Sequence, residues 1–181
     1  MLPKCKSLHL HSYDYSSEGM YFVTACTQDR KSIFGEINSG VMHLNDIGKM
    51  VECIWNSLSG RFHNIELDEF IVMPHHIHGI ISIAKQPSNV GAGLPRPGAE
   101  TAPLRPVTLS KIVAYLKYQS TKLINNIRKT PGISIWQRNY HERVIRNEKE
   151  LLEIRQYIQN NPLKWNEDPE NIALHTTISS I

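Results

Sequence analysis

The order of hydrophobic patterns along this 181-residue chain predicts an α+β fold with a mainly antiparallel central sheet. Stretches with strand character alternate with stretches of helical spacing in the order strand, helix, strand, strand, helix, strand, helix. The two middle strands are separated by a hairpin-sized link, which joins antiparallel neighbours. This order favours a ferredoxin-like sandwich, in which helices pack on the sheet.

The first third of the chain begins with a predicted strand at 20–27, which is rich in β-branched and aromatic residues. Short extended pieces are expected between 33 and 44, around the turn Asn38-Ser39-Gly40. Asn45 is a suitable N-cap for a helix that runs to about Leu58, because apolar residues follow it at helical spacing.

The middle of the chain contains two apolar strands, at about 65–73 and 75–83. The segment 84–107 holds five prolines and three glycines, so we expect a long surface loop there. Thr108 or Ser110 then caps a long basic helix that ends near Lys129. Its inner stripe is predicted to consist of Ile112, Tyr115, Leu116, Gln119 and Leu123.

The last part of the chain contains a predicted strand at 140–145 and a helix from about Glu148 to Asn160. Asn147 caps this helix, and Pro162 stops it. We therefore expect a single domain over 1–181, with a core at about 13–165 and a short tail at 166–181.

The composition is that of a globular protein, with 40% hydrophobic and 20% charged residues, and it argues against wholesale disorder. Three widely spaced cysteines argue against a disulfide framework and suit a reducing cytoplasm. The N-terminus lacks the apolar run of a signal peptide, and no stretch approaches the roughly 18 apolar residues of a membrane span. We expect a cytoplasmic protein without membrane contact.

Basic charge is concentrated in the second half of the chain, where 13 basic and 8 acidic residues give a balance of +5. Such a block can bind a phosphate backbone, although it also suits a solvated helix face. The candidates for contact with DNA are Arg105, Lys111, Lys117, Lys122, Arg128 and Lys129, together with Tyr118 as a base-stacking residue.

The most informative motif is Pro74-His-His-Ile-His-Gly, within the second of the middle strands. Positions two apart in a strand share a face, so His76 and His78 point the same way. Two adjacent imidazoles can chelate a metal ion, although a pair of hydrogen-bonded core histidines has the same pattern. His9 and His11 repeat the spacing outside any convincing strand, and we interpret them as incidental.

A second motif, Tyr157-Ile-Gln-Asn-Asn-Pro, places Tyr157 and Asn161 four residues apart on one helical face. A tyrosine oxygen can attack phosphorus, and an amide oxygen can serve as third ligand to a hard divalent ion. Two imidazoles and an amide suit Mg²⁺ or Mn²⁺. A packing tyrosine and a helix C-cap are the alternative interpretations. Tyr115 and Gln119 form a competing pair with the same spacing.

Together these motifs resemble the REP-associated tyrosine transposases, a branch of the IS200-like single-tyrosine HUH transposases. The resemblance covers roughly residues 9–165. It is carried by Met73-Pro-His-His-Ile-His-Gly-Ile-Ile, by Trp136-Gln-Arg-Asn-Tyr-His-Glu-Arg-Val-Ile-Arg-Asn and by Tyr157-Ile-Gln-Asn-Asn-Pro, with Tyr13-Asp-Tyr-Ser, Tyr21-Phe-Val-Thr-Ala-Cys-Thr-Gln and Phe34-Gly-Glu-Ile.

The resemblance implies that His76, His78 and Asn161 bind the metal and that Tyr157 is the nucleophile. It implies cleavage and rejoining of single-stranded DNA beside a REP-like hairpin, through a 5′-phosphotyrosine intermediate, in a bacterial protein that is a monomer or homodimer. Better-known insertion-sequence relatives have glutamine where this chain has Asn161. An aromatic pair often precedes the glutamate of that region, whereas this chain has Tyr140-His141 before Glu142.

Three other functions are compatible with the same patterns. The chain could be a hairpin-DNA-binding protein of the same fold that does not cut DNA. It could be a metal-dependent nuclease with water as the nucleophile, in which case Tyr157→Phe would remain active. An RNA-binding ferredoxin-like module is the third, but the sequence lacks a clear strand with two aromatic residues.

Overall fold

A computed structural model describes residues 18–84 and 107–165 of the chain. The predicted tail at 166–181, residues 1–17 and all but the two end residues of the predicted 84–107 loop lie outside the described residues. The strands are β1 (Gly19–Cys26), β2 (Gly35–Asn38), β3 (Val41–Leu44), β4 (Ile65–Met73), β5 (His76–Ile83) and β6 (His141–Ile145). The helices are α1 (Asp46–Asn56), α2 (Leu58–Arg61), α3 (Leu109–Arg128) and α4 (Glu148–Asn160), and a single 3₁₀ turn spans Gln28–Arg30.

The central sheet has the strand order β4-β5-β1-β6, and every neighbouring pair is antiparallel. Strands β2 and β3 form a separate hairpin, which precedes α1 in the sequence. With this hairpin set aside, the order of strands and helices up to β6 is that of a ferredoxin-like fold, and α4 is added after it. The predicted α+β sandwich with an antiparallel sheet is confirmed.

The predicted helix caps are present in the structure. The side chains of Asn45, Thr108 and Asn147 each accept a hydrogen bond from a backbone N–H in the first turn of α1, α3 and α4. These polar side chains satisfy N–H groups that have no partner within the helix, which fixes where each helix begins.

The sheet is covered on both faces. One face packs against α1, α2 and α3, and the core there includes Tyr21, Val23, Ile77, Ile81, Trp55, Ile112 and Leu116. The other face packs against α4, and its smaller core is Ile80, Ile145, Leu151, Ile154 and Ile158. Strands β1 and β5 are buried on both faces of the sheet. Their side chains are therefore apolar or hydrogen-bonded on either face.

The inner stripe of α3 differs from the prediction in its second half, where Ser120 and Ile124 are buried rather than Gln119 and Leu123. Ile124 is fully buried, whereas Leu123 is 41% exposed and faces away from the sheet. Both residues are compatible with helical spacing, so the sequence pattern did not distinguish them. The buried positions Ile112, Leu116, Ser120 and Ile124 set the phase of the helix instead.

Gly79 lies in β5 directly after His78, and a neighbouring ring fills the space that a side chain at position 79 would need. The Trp55 indole stacks on Phe70 with centroids 4.2 Å apart and fills the space that a Cβ at position 79 would need. A glycine is therefore required here by close packing against the strand that carries the histidines.

We expect Gly79→Ala to lower the free energy of unfolding by about 1–3 kcal/mol, because the new methyl group overlaps the indole ring. Urea unfolding measures this change. Gly60→Ala is the matched control, since no atom lies within 4 Å of a Cβ built there and the residue is helical. The control should be neutral or stabilising by up to about 1 kcal/mol. Equal stability of the two variants would contradict the close-packing argument.

Candidate functional site

His76 and His78 point from the inner strand β5 toward the face that α4 covers. In the register, Thr24 lies opposite His78 and Cys26 lies opposite His76 on the neighbouring strand β1. The two Nε2 atoms are 3.0 Å apart, and both side chains are at least 98% buried. His76 and His78 therefore lie on the same face of β5, as predicted, and their Nε2 atoms face each other.

The ring of His78 is oriented by two residues of β1. The Thr24 hydroxyl lies 2.8 Å from Nδ1 of His78, and the Phe22 ring stacks on the imidazole with centroids 5.3 Å apart. A hydrogen bond at Nδ1 fixes which way the ring faces and leaves Nε2 for another partner.

Both imidazoles are held in the uncharged form. Burial, with smaller contributions from the neighbouring His78, His75 and Arg30, keeps the pKa of His76 well below its ordinary value of 6.5. Burial also lowers the pKa of His78 to about 3, and His75 adds to that shift. An uncharged imidazole has a lone pair, which is the form that binds a metal ion.

Tyr157 on α4 reaches the histidine pair. Its hydroxyl oxygen lies 3.4 Å from Nε2 of His78, and its ring meets that of Phe22 edge-on with centroids 6.0 Å apart. The side chain is 41% exposed, whereas the histidines beneath it are not. The partly exposed Tyr157 side chain therefore gives solvent access to a position next to the buried histidine pair.

Two polar contacts attach α4 to the edge strand β4. Arg155 donates from Nε to Oδ1 of Asp68 at 2.8 Å and from Nη2 to Oδ2 at 2.5 Å. Gln159 donates to Glu69 at 2.7 Å. The register of β4 shifts by one residue between Leu67 and Phe70, so a β-bulge allows the consecutive Asp68 and Glu69 both to reach the helix. Tyr157 lies between the two attached residues, so these contacts fix its position.

Asn161 lies directly after the last residue of α4 and is 3% exposed. It continues the buried stripe of Ile154 and Ile158 toward the sheet. Its side-chain oxygen is buried and accepts no hydrogen bond from the described residues. A buried amide oxygen without a donor costs free energy, and a ligand that supplies a positive charge would remove that cost.

The donor set suits a hard divalent ion. Two nitrogens 3.0 Å apart can both lie about 2.1 Å from one ion. Among residues 18–84 and 107–165, no group of three or more His, Cys, Asp or Glu side chains is placed to hold a metal ion. The buried amide oxygen of Asn161 is a candidate for a further ligand.

The predicted DNA-contact residues of α3 lie across the sheet from the histidines, because α3 packs on the face opposite α4. The ammonium group of Lys117 donates to the carbonyl oxygens of Gln137 and Asn139 at 3.0 and 2.8 Å, and burial lowers its pKa to about 8. This lysine therefore holds the segment before β6. Tyr118 is 64% exposed. Contact with DNA stays a prediction for Lys111, Lys117, Tyr118, Lys122, Arg128 and Lys129. Arg105 lies outside the described residues.

The competing pair Tyr115 and Gln119 is separated from the histidines by the sheet. Tyr115 packs against the core beneath α3 and meets Phe62 edge-on, with centroids 5.6 Å apart.

Four features of the site were not predicted from the sequence, namely Thr24, the Asp68–Arg155 contact, Arg30 near His76, and Trp165, whose ring stacks near His75 and His76. Each depends on strand register or on chain segments far apart in sequence.

This chain is similar in sequence to an uncharacterized protein of Haemophilus influenzae Rd. It is 39% identical in an alignment of 172 residues that covers 90% of this chain and 91% of that protein. The chain belongs to the family of this Haemophilus protein. No protein-family model matches the sequence.

Among solved structures, that of a REP-associated tyrosine transposase bound to a REP hairpin superposes with a TM-score of 0.55 at 20% identity, covering 84% of this chain and 71% of that one. This chain therefore shares the fold of that transposase, and the resemblance found in the motifs is confirmed for the fold. A candidate transposase from Deinococcus radiodurans R1 has a TM-score of 0.45 and 17% identity over 82% of this chain and 93% of that one, which is too low to add to the assignment. No helix within the described ranges has both the length and the apolar character of a membrane span.

The low pKa values of the histidines predict that the metal-free protein loses stability in acid. The unfolded histidines take up protons below about pH 6.5, whereas the folded ones stay uncharged well below that pH, because burial lowers the pKa of His76 and brings that of His78 to about 3. Protonation therefore stabilises the unfolded state in that window, and the free energy of unfolding should fall by up to about 1.4 kcal/mol per histidine and pH unit.

Urea unfolding in EDTA at pH 7 and pH 4.5 measures this effect. The double variant His76→Gln/His78→Gln should lose less stability between the two values than the wild type does. His63→Gln, which changes an exposed histidine, should behave like the wild type. A double variant with the full wild-type loss would show that other groups cause the acid sensitivity.

Proposed function

We propose that this chain is a metal-dependent tyrosine transposase that cleaves and rejoins single-stranded DNA at hairpin sequences. The observation that carries the proposal is the 3.4 Å approach of the Tyr157 hydroxyl to Nε2 of His78, whose Nε2 also faces His76. The transposase of the same fold is bound to a REP hairpin, which supports hairpin-containing DNA as the partner.

The proposed step is a transesterification at phosphorus. The bond from the Tyr157 oxygen to phosphorus forms while the bond from phosphorus to the 3′ oxygen breaks. The phenol proton leaves to water, and the departing 3′ oxygen takes a proton to give a free 3′-hydroxyl. The 5′ end is held as a phosphotyrosine ester. Attack by a 3′-hydroxyl on that ester rejoins the strand, and no nucleotide cofactor is required because the ester bond energy is kept.

His76, His78 and Asn161 are the residues that would hold Mg²⁺ or Mn²⁺, which when bound would withdraw charge from the scissile phosphate. In the tautomer that this role requires, Nδ1–H of His78 donates to the Thr24 hydroxyl, so that the Nε2 lone pair faces the site. Phe22 contacts both the His78 and the Tyr157 rings and keeps the phenol beside the histidine edge.

The test of the proposal is covalent capture of DNA. We expect the wild-type protein with Mn²⁺ to form a denaturation-resistant adduct with one of the overlapping single-stranded oligonucleotides that cover the DNA flanking its own gene. Tyr157→Phe should lower adduct formation at least about a thousandfold, because it removes the nucleophilic oxygen and keeps the ring. Gel electrophoresis under denaturing conditions measures the adduct.

Tyr118→Phe is the matched control, since it removes an exposed phenol oxygen from the opposite side of the sheet. It should form the phosphotyrosine ester at the wild-type rate once DNA is saturating. Cleavage that persists in Tyr157→Phe without an adduct would instead identify a nuclease that uses water. DNA binding without cleavage by the wild type would identify a binding protein that does not cut.

Removal of the Asn161 side chain tests the third ligand. Asn161→Ala should weaken Mn²⁺ binding at least about tenfold, because the buried amide oxygen is lost. Isothermal titration with Mn²⁺ measures the affinity, and Asn160→Ala, the exposed neighbour, should leave it unchanged. Equal affinity in the two variants would remove Asn161 from the proposed ligand set.

A further inference from the structure

Two consecutive residues after β1 adopt a backbone conformation that costs free energy. Asp29 has φ of 56° and Arg30 has φ of 50°, in the left-handed region that favours glycine. Two other non-glycine residues in the described ranges have positive φ, and each stands alone, at the β2–β3 turn and at the C-terminus of α3. Each such residue costs free energy, and such costs are often found at functional sites.

The surrounding structure holds this turn in place. The backbone N–H of Thr27 donates to the carbonyl oxygen of His75 at 2.8 Å, and the Thr27 hydroxyl lies within 3.0 Å of the same oxygen. That hydroxyl is also 2.9 Å from the carbonyl oxygen of Lys31, which closes the turn. The turn is thus bonded directly to His75, the residue before His76.

The turn places Arg30 beside the histidine pair. Strand β1 ends at Cys26, which lies opposite His76 in the register, and Arg30 follows four residues later. The backbone N–H of Arg30 returns to the carbonyl oxygen of Thr27 at 3.1 Å, so the chain reverses instead of leaving the sheet. Its positive charge acts at His76, and its side chain is half-buried.

We propose that Arg30 is a substrate-binding residue, whose guanidinium group contacts a DNA phosphate within one nucleotide of the scissile bond. A guanidinium group binds two phosphate oxygens at once, and its planar geometry fits a phosphate better than an ammonium group does. This inference rests on the proposed function, since it names a contact made by the same DNA strand.

The strain itself provides a test that separates a binding role from a structural one. Arg30→Gly should leave the melting temperature unchanged or raise it, because glycine adopts positive φ without strain. The same variant should form the DNA adduct at least about tenfold more slowly than the wild type, because the charged contact is lost. Arg30→Lys should have an intermediate rate.

Asp29→Gly is the matched control, because it relieves the same kind of strain next to Arg30 and keeps the guanidinium group. It should form the adduct at the wild-type rate. An Arg30→Gly variant that also reacts at the wild-type rate would overturn the inference and leave the proposed function standing. Parallel loss of melting temperature and rate in both glycine variants would overturn it in favour of a structural role. A wild-type protein that forms no adduct would overturn both proposals.

The contacted phosphate can be located by removing charge from the DNA. Oligonucleotides that carry a single uncharged methylphosphonate at successive positions are bound to Tyr157→Phe protein, with and without Arg30→Gly. At one position beside the cleavage site, Arg30→Gly should no longer weaken binding, because the charge that it contacts is already absent. A weakening that persists at every position would contradict a phosphate contact.

Discussion

The site depends on keeping two imidazoles uncharged with their Nε2 atoms 3.0 Å apart inside the protein. Burial is the main cause of this state, and it is possible only because β5 is an inner strand with a helix on the face that carries His76 and His78. The facing lone pairs repel unless a proton or a cation lies between them. The strands β1 and β5 and the covering helix α4 enclose this one arrangement.

The position of the phenol is fixed by directional contacts rather than by apolar burial. The apolar stripe of α4, Leu151, Ile154 and Ile158, attaches the helix to the sheet but allows it to shift along its axis. The pairing of Arg155 with Asp68 and of Gln159 with Glu69 prevents that shift, because hydrogen bonds require specific distances and angles. The bulge in β4 makes both pairings possible on one side of the strand.

The two faces of the sheet have separate roles. The larger core, formed with α1, α2 and α3, provides most of the apolar burial, and Gly79 shows how closely it packs behind the histidine strand. The smaller face carries the polar groups of the site. The turn after β1 lies at the end of the strand that separates β5 from β6, and its strained conformation is stabilised by bonds to the backbone of His75.

The amino-acid sequence by itself determined the features that depend on near neighbours. Strand and helix order, the caps at Asn45, Thr108 and Asn147, the shared face of the His76 pair and the four-residue spacing of Tyr157 and Asn161 all follow from local periodicity and hydrogen bonding. Only the tertiary structure decided that Thr24 lies opposite His78, that Asp68 binds a residue 87 positions away, that α3 lies across the sheet and that Ile124 rather than Leu123 is buried. The physical reason is that register and facing are set by the burial and pairing of the whole chain at once, which no short segment encodes.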